Sequence, residues 1–177
     1  VDELMVEVFE IEDKEVLMDE LMQRYGQDIL QLVYSYVRNT ELAEDLTQDI
    51  FVKCYQSLHT YKGSAQLRTW LWRIAINHCK DYLKSWYNNK VIVSESETAF
   101  TGEGYEGFEQ TVIQQEEDQQ LALAVMELPV KYREVIYLFY FEERAIKEIA
   151  MIIGVKENTV KTRLRRAKEL LKEELEE

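Results

Sequence analysis

Apolar residues recur every three or four positions from Leu17 to Val37. They do so again from Glu41 to Leu58, where Ala43, Leu46, Ile50, Phe51, Cys54 and Leu58 form the stripe. One apolar face at helical period predicts two amphipathic helices that pack as a hairpin. The join Arg38-Asn39-Thr40 is short: Asn39 is expected in the left-handed conformation that ends a helix, and Thr40 as the cap of the next. The period breaks in the turn-forming cluster His59-Thr60-Tyr61-Lys62-Gly63-Ser64, and a third helix is predicted from near Thr69 to about Trp86. It has two faces. Leu71, Ile74, Ala75, His78, Tyr82 and Leu83 make one stripe, and Trp70, Arg73, Asn77, Lys80 or Asp81, and Lys84 recur at helical spacing on another. From Asn88 to about Ile113 there is no period, and three of the six glycines fall there, which is linker composition. Helical pattern returns at Gln114, is interrupted at Leu128-Pro129, and continues to the C-terminus with a tight turn at Gly154. The reading is an all-α chain of two small helical domains, 1–87 and 114–177, joined by the linker 88–113.

Composition supports that class. With 46% hydrophobic residues the chain is globular, and one proline with six glycines leaves little room for the turns of an all-β fold. No apolar run is long enough to span a bilayer, and Val1-Asp2-Glu3-Leu4 is acidic where a secretory signal would be basic, so a cytoplasmic protein without membrane insertion is expected. Cys54 and Cys79 fit that reducing compartment. Together with His59 and His78 they lack the spacing of a zinc site, and Cys54 falls on an apolar stripe, so no metal and no cofactor is expected.

Charge changes the picture more. The net charge of −13 argues at first against nucleic acid, but its distribution is uneven. Residues 1–58 carry −10, residues 59–90 carry +5, residues 91–120 carry −8 with no basic side chain, and residues 121–177 balance to zero. Within the last stretch Val155 to Lys172 is locally +5, with seven basic and two acidic side chains. Two basic islands therefore sit in an acidic chain, and the linker between them is acidic.

The second island coincides with a motif. In Glu148-Ile149-Ala150-Met151-Ile152-Ile153-Gly154-Val155, a small Ala150 lets two helices approach and Gly154 turns the chain. In the following Asn158-Thr159-Val160-Lys161-Thr162-Arg163-Leu164, Val160 and Leu164 pin a second helix to the core. This is a helix-turn-helix over roughly Ile146 to Lys168. Lys161, Thr162, Arg165 and Arg166 are left facing outward, types suited to phosphate oxygens and to guanine edges in a major groove.

Four stretches in order carry a more specific likeness: AEDLTQDIFVKCYQSL (Ala43 to Leu58), YKGSAQLRTWLWRIAINHCKDYL (Tyr61 to Leu83), LPVKYREVIYLFYFE (Leu128 to Glu142) and EIAMIIGVKENTVKTRLRRAKELL (Glu148 to Leu171). The chain resembles the extracytoplasmic-function (ECF) group of bacterial RNA polymerase sigma factors, members of the sigma-70 family. The resemblance implies that the second hairpin helix docks on core RNA polymerase through Glu41, Asp45, Gln48, Asp49 and Val52. It implies that the first basic island melts and reads the −10 element of promoter DNA. Tyr61, Lys62, Gly63, Ser64 and Arg68 would lie in or beside a loop that captures an extruded base, with Trp70, Arg73, Asn77, Lys80 and Lys84 along the helix that follows. For the −35 element it implies Lys156, Asn158, Thr159, Lys161, Thr162, Arg163, Arg165 and Arg166. Family members are usually restrained by an anti-sigma factor, so such a partner is expected.

The chain departs from the family pattern at several of these positions. Ser64 stands where an acidic residue is common, an aromatic frequent at the Leu67 position is missing, Lys156 and Ala145 replace serine caps, and Asn158 replaces a glycine. No phosphate-cradling Gly loop, nucleophile-base pair or metal set is present, so neither catalysis nor a small-molecule substrate is expected. Two other readings share the motif: a helix-turn-helix regulator that binds DNA unaided, and an acidic adaptor that binds only proteins. Net charge opposes the first, and the concentration of basic residues in two islands opposes the second.

Overall fold

A computed structural model describes residues 14–61, 63, 66–92 and 116–177. The chain divides into two compact units, Val1–Thr101 and Gly102–Glu177. Among the described residues every element is helical.

The first unit contains α1 (Lys14–Val37), α2 (Thr40–Ser57), a single 3₁₀ turn (Leu58–Thr60) and α3 (Leu67–Ile92). Helices α1 and α2 pack as the predicted hairpin and α3 lies against both. The buried stripe of α2 is the predicted one: Ala43, Leu46, Ile50, Phe51, Cys54 and, just beyond its end, Leu58. From α3 the core receives Leu67, Leu71, Trp72, Ala75, Ile76 and Cys79, with Trp72 fully buried and its ring edge-on to Tyr25 at 5.6 Å. Each large side chain taken wholly out of water contributes about 1.5–3 kcal/mol, which is why the stripe fixes the face each helix turns inward.

Three predicted details shift. On α3 only Leu71 and Ala75 of the expected inner stripe are buried; Ile74, His78, Tyr82 and Leu83 are half-buried, because the helix is turned to bury Trp72, Ile76 and Cys79. Arg38, not Asn39, takes the left-handed conformation, at φ 58°. Asn39 is extended instead, and its Oδ1 accepts a hydrogen bond from the Leu42 N–H at 2.9 Å, so Asn39 is the cap and Thr40 is already helical. Asparagine suits both roles, and here the cap is the one that satisfies an orphan N–H of the following helix. The third helix is also longer than expected, beginning at Leu67 and running to Ile92. Residues 88–92 of the expected linker are therefore helical, and 93–113 lie outside the described residues.

The second unit contains α4 (Glu116–Glu127), α5 (Val130–Ile136), a π-helical turn (Tyr137–Phe141), α6 (Ile146–Ile153) and α7 (Glu157–Glu176). Helix α7 packs on α4, α5 and α6. Pro129 breaks the chain between α4 and α5, as the sequence predicts. The break is bridged from inside: the buried Arg133 guanidinium donates to the carbonyls of Met126 at 2.7 Å and Leu128 at 3.4 Å. Carbonyls at a helix end have no partner along the helix, and the buried guanidinium supplies donors that the end of α4 lacks. Arg144, also buried, pairs with Glu142 at 3.0 Å and with Glu148 in the first turn of α6, tying the approach loop to that helix.

Candidate nucleic-acid interface

The helix-turn-helix is α6, a turn, and α7. Gly154 ends α6 at φ 73°, ψ 36°, and both its own N–H and that of Val155 donate to the Ala150 carbonyl, at 3.0 and 3.1 Å. That left-handed residue is favourable for glycine and costly for other residues, which is why the turn sits there. Ala150 is buried at the crossing, and Val160, Leu164 and Ala167 carry the inner face of α7. Their spacing leaves Asn158, Lys161, Thr162, Arg165 and Arg166 exposed on the opposite side. Neither helix has a side-chain cap: at Ala145 and at Lys156 no side chain bonds the helix start, consistent with the missing serines.

Not every predicted residue of this set lies on that face. Thr159 is half-buried. Arg163 turns inward, 3.7 Å from Glu134 of α5, whose side chain is 1% exposed. Its charge is used within the unit rather than offered outward. Thr162 donates its hydroxyl back to the Asn158 carbonyl at 2.9 Å, leaving the oxygen to accept. Arg166 is held by Glu169 at 3.0 Å and lies 3.8 Å from Glu173. Lys156 is exposed beside Lys147, and the two border a hollow between α6 and α7 that also includes Met151 and Asn158. Lys147 was missed in the sequence because it lies on the first helix of the motif, outside the basic island Val155 to Lys172; its exposed position on α6 is the signal that finds it.

In the first unit, the structure brings Tyr61 and Trp70 together with ring centroids 5.6 Å apart, forming an aromatic pair at the foot of α3. Gly63 adopts φ 73°, the turn the sequence predicts, while Lys62 and Ser64 lie outside the described residues. Above the pair, Arg73, Asn77 and Lys84 are exposed along α3 and Lys80 is half-buried. Arg68 departs from the set: its guanidinium lies over the Trp72 ring at 4.9 Å and near Tyr25 at 6.0 Å, with its Nε buried and lacking a hydrogen-bond partner. It is packed on the core rather than aligned with the other basic groups.

On α2, Glu41, Asp45, Gln48, Asp49 and Val52 are all exposed and share a face. Tyr55, one turn beyond Val52, extends that face and was missed; Val52 is 54% and Tyr55 41% exposed, an apolar pair among acidic groups. Where α2 meets α3, His78 Nε2 lies 3.9 Å from Asp49, and neither ring nitrogen has a hydrogen-bond partner. Burial pushes the imidazole below its ordinary pKa, Lys53 adds to this, and Asp49 and Asp81 oppose it. Cys54 and Cys79 are fully buried, and desolvation pushes both thiols up to about 12. Among the described residues no group of three or more His, Cys, Asp or Glu could hold a metal ion, and no helix is long and apolar enough to cross a membrane.

The Sigma-70 region 2 family model matches residues 21–87 and the Sigma-70, region 4 model matches residues 118–171. Among curated proteins, the chain is similar to RNA polymerase sigma factor SigV of Bacillus subtilis, at 34% identity over 85% of this chain and 86% of that one. It is similar to ECF RNA polymerase sigma factor SigW of the same organism, at 30% identity over 92% and 90%. Among solved structures, it resembles the sigma factor RpoE in complex with the anti-sigma factor NepR from Bartonella quintana, with TM-score 0.67, 21% identity, and 89% and 96% of the two chains covered. CnrH in complex with the cytosolic domain of CnrY gives TM-score 0.67 at 20% identity over 98% and 95%. At that identity the structural likeness shows the fold.

Proposed function

Because the chain belongs to the ECF group of the sigma-70 family, we propose that it binds core RNA polymerase and directs promoter-specific initiation, reading −10 and −35 elements and promoting strand opening. The observation that carries this reading is α7, whose Lys161, Thr162, Arg165 and Arg166 are exposed while Val160, Leu164 and Ala167 lock the opposite side into the core. A helix so fixed can be laid in a major groove without rearranging.

Residues 1–87 are the core-binding and −10 domain, 114–177 the −35 domain, and 88–113 the acidic connection between them. The α2 face of Glu41, Asp45, Gln48, Asp49 and Val52 is the docking surface for a basic segment of polymerase, with Tyr55 joining it. The Tyr61 and Trp70 rings offer a stacking surface for a base drawn from the duplex, and Arg73, Asn77, Lys80 and Lys84 line the strand's path. The protein is an initiation subunit without catalytic residues, metal or small-molecule substrate, and it works in the cytoplasm with polymerase. An anti-sigma factor is a further partner, as for the RpoE structure it resembles.

Net charge of −13 separates this from a regulator that binds DNA unaided, since an acidic chain binds a polyanion weakly and polymerase supplies most phosphate contacts in a holoenzyme. The test is reconstitution of the full chain with core polymerase, read by run-off transcription and promoter footprints. Initiation only with both components is expected. Tight specific duplex binding without polymerase would favour the regulator, and polymerase binding without initiation the adaptor. Arg165→Ala or Arg166→Ala is expected to weaken −35 protection while leaving core binding intact; loss of core binding in either would refute the division of labour.

A further inference from the structure

An open cleft of about 490 Å³ lies between α5 and the outer side of α7, both in the second unit. Lys131 and Tyr132 of α5 line one wall, and Thr162, Arg163, Arg165 and Arg166 of α7 the other. Its cations differ in what already engages them. Arg163 is paired with the buried Glu134, and Arg166 with Glu169 at the cleft's edge. Lys131 and Arg165 have no carboxylate partner among the described residues. The Lys131 ammonium lies 5.0 Å from the centre of the Tyr132 ring, a contact that holds it at the wall while leaving its hydrogen-bond donors available.

Thr162, Arg165 and Arg166 belong to this cleft and to the exposed reading face at once, so the two surfaces are continuous. A helix lying in a major groove is flanked on each side by a sugar-phosphate backbone. A cation on the neighbouring helix, just beside the reading face, meets that backbone rather than a base edge.

We infer that this cleft is a seat for one backbone phosphate at the margin of the −35 element, with Lys131, supported by Tyr132, and Arg165 as its cationic partners. Its Lys131 and Tyr132 wall lies on α5, outside the helix-turn-helix. It fixes register and adds affinity without reading sequence. This inference rests on the proposed −35 recognition and adds to it a residue and a ligand group.

The test uses holoenzyme assembled from the full chain and core polymerase, binding promoter fragments over a series of salt concentrations. Lys131→Ala is expected to weaken binding several-fold, to lower the slope of log affinity against log salt by about one, and to do so equally on fragments with altered −35 sequences. Lys172→Ala, which removes a lysine on α7 that is 74% exposed and lies 3.7 Å from Glu176, is expected to leave the slope unchanged. Tyr132→Ala is expected to weaken binding and Tyr132→Phe, which keeps the ring, to retain it. An unchanged slope in Lys131→Ala, a loss confined to one −35 sequence, or a loss of core affinity in place of DNA affinity would each overturn the phosphate seat. If wild-type holoenzyme ignores the −35 element, the parent reading falls and this one with it. If wild type responds and Lys131→Ala matches it, the phosphate seat alone falls.

Discussion

Gly154 is the most economical place to test how the two helices of the helix-turn-helix are held. A Cβ built there meets nothing within 4 Å, so Gly154→Ala introduces no collision, and its effect is that of the backbone alone. At φ 73° and ψ 36° an L-residue pays about 1–2 kcal/mol for the left-handed conformation. Against this, alanine narrows the unfolded ensemble and returns about 0.4–1 kcal/mol. The net expectation is a loss of about 1 kcal/mol, or about 4–8 °C in Tm for a unit of this size. Gly154→Asn, which tolerates the left-handed region, should lose less than alanine. Thermal unfolding of the full chain, followed by circular dichroism, measures all three. An unchanged Tm in Gly154→Ala would refute the claim that this conformation is required. A loss above about 3 kcal/mol would refute the claim that the space is open. Well below its Tm, the alanine variant should still support −35-dependent initiation, because the turn's two bonds to the Ala150 carbonyl need only backbone N–H groups.

Other expectations follow from buried groups. With thiols at about 12 and no exposure, the thiolate fraction of Cys54 and Cys79 at pH 8 is on the order of 10⁻⁴, so an alkylating reagent should leave both intact until denaturant is added. Labelling of the native protein by mass spectrometry would contradict the packing. His78, lowered from 6.5 by burial, binds a proton less readily folded than unfolded, so its contribution to stability is present above about pH 6.5 and declines as pH falls below it. Denaturant midpoints between pH 7.5 and 5.5 should fall with pH and do so less steeply in His78→Gln; parallel slopes would rule His78 out. Arg133→Met keeps the aliphatic stem but strands the Met126 and Leu128 carbonyls, for a loss of about 2 kcal/mol in chemical unfolding, and a loss under about 0.5 kcal/mol would show that the bridge contributes little.

On α2 the inner face was legible because the apolar period reports burial directly: Leu46, Ile50 and Cys54 recur at helical spacing and are all buried, whereas on α3 only Leu71 and Ala75 of the expected stripe are buried and Trp72, Ile76 and Cys79 complete the core. The third helix ran past its expected end because Asn88 and Asn89, where the apolar period stops, carry only a modest propensity penalty inside a helix already anchored by Trp72 and Cys79. Basic residues were harder to place. Arg163 and Arg165 are indistinguishable by type and stand two positions apart, yet a helix advances 100° per residue and sends them to different environments. What separates them is Glu134, on another helix and far away in sequence, whose buried carboxylate draws Arg163 inward. Arg68 shows the same: charge counting places it in the first basic island, yet it is packed on the Trp72 ring. Conversely, Lys131 and Lys147 stand outside the basic island, and only the packing of α5 and α6 against α7 brings them beside it. The proposed −35 surface is thus defined less by how many cations α7 carries than by which of them the neighbouring helices neutralise and which they supplement. Reversing one such choice, by Glu134→Gln, should loosen the inward hold on Arg163 and alter the DNA affinity of the holoenzyme, while Lys131→Ala should lower that affinity without changing the fold.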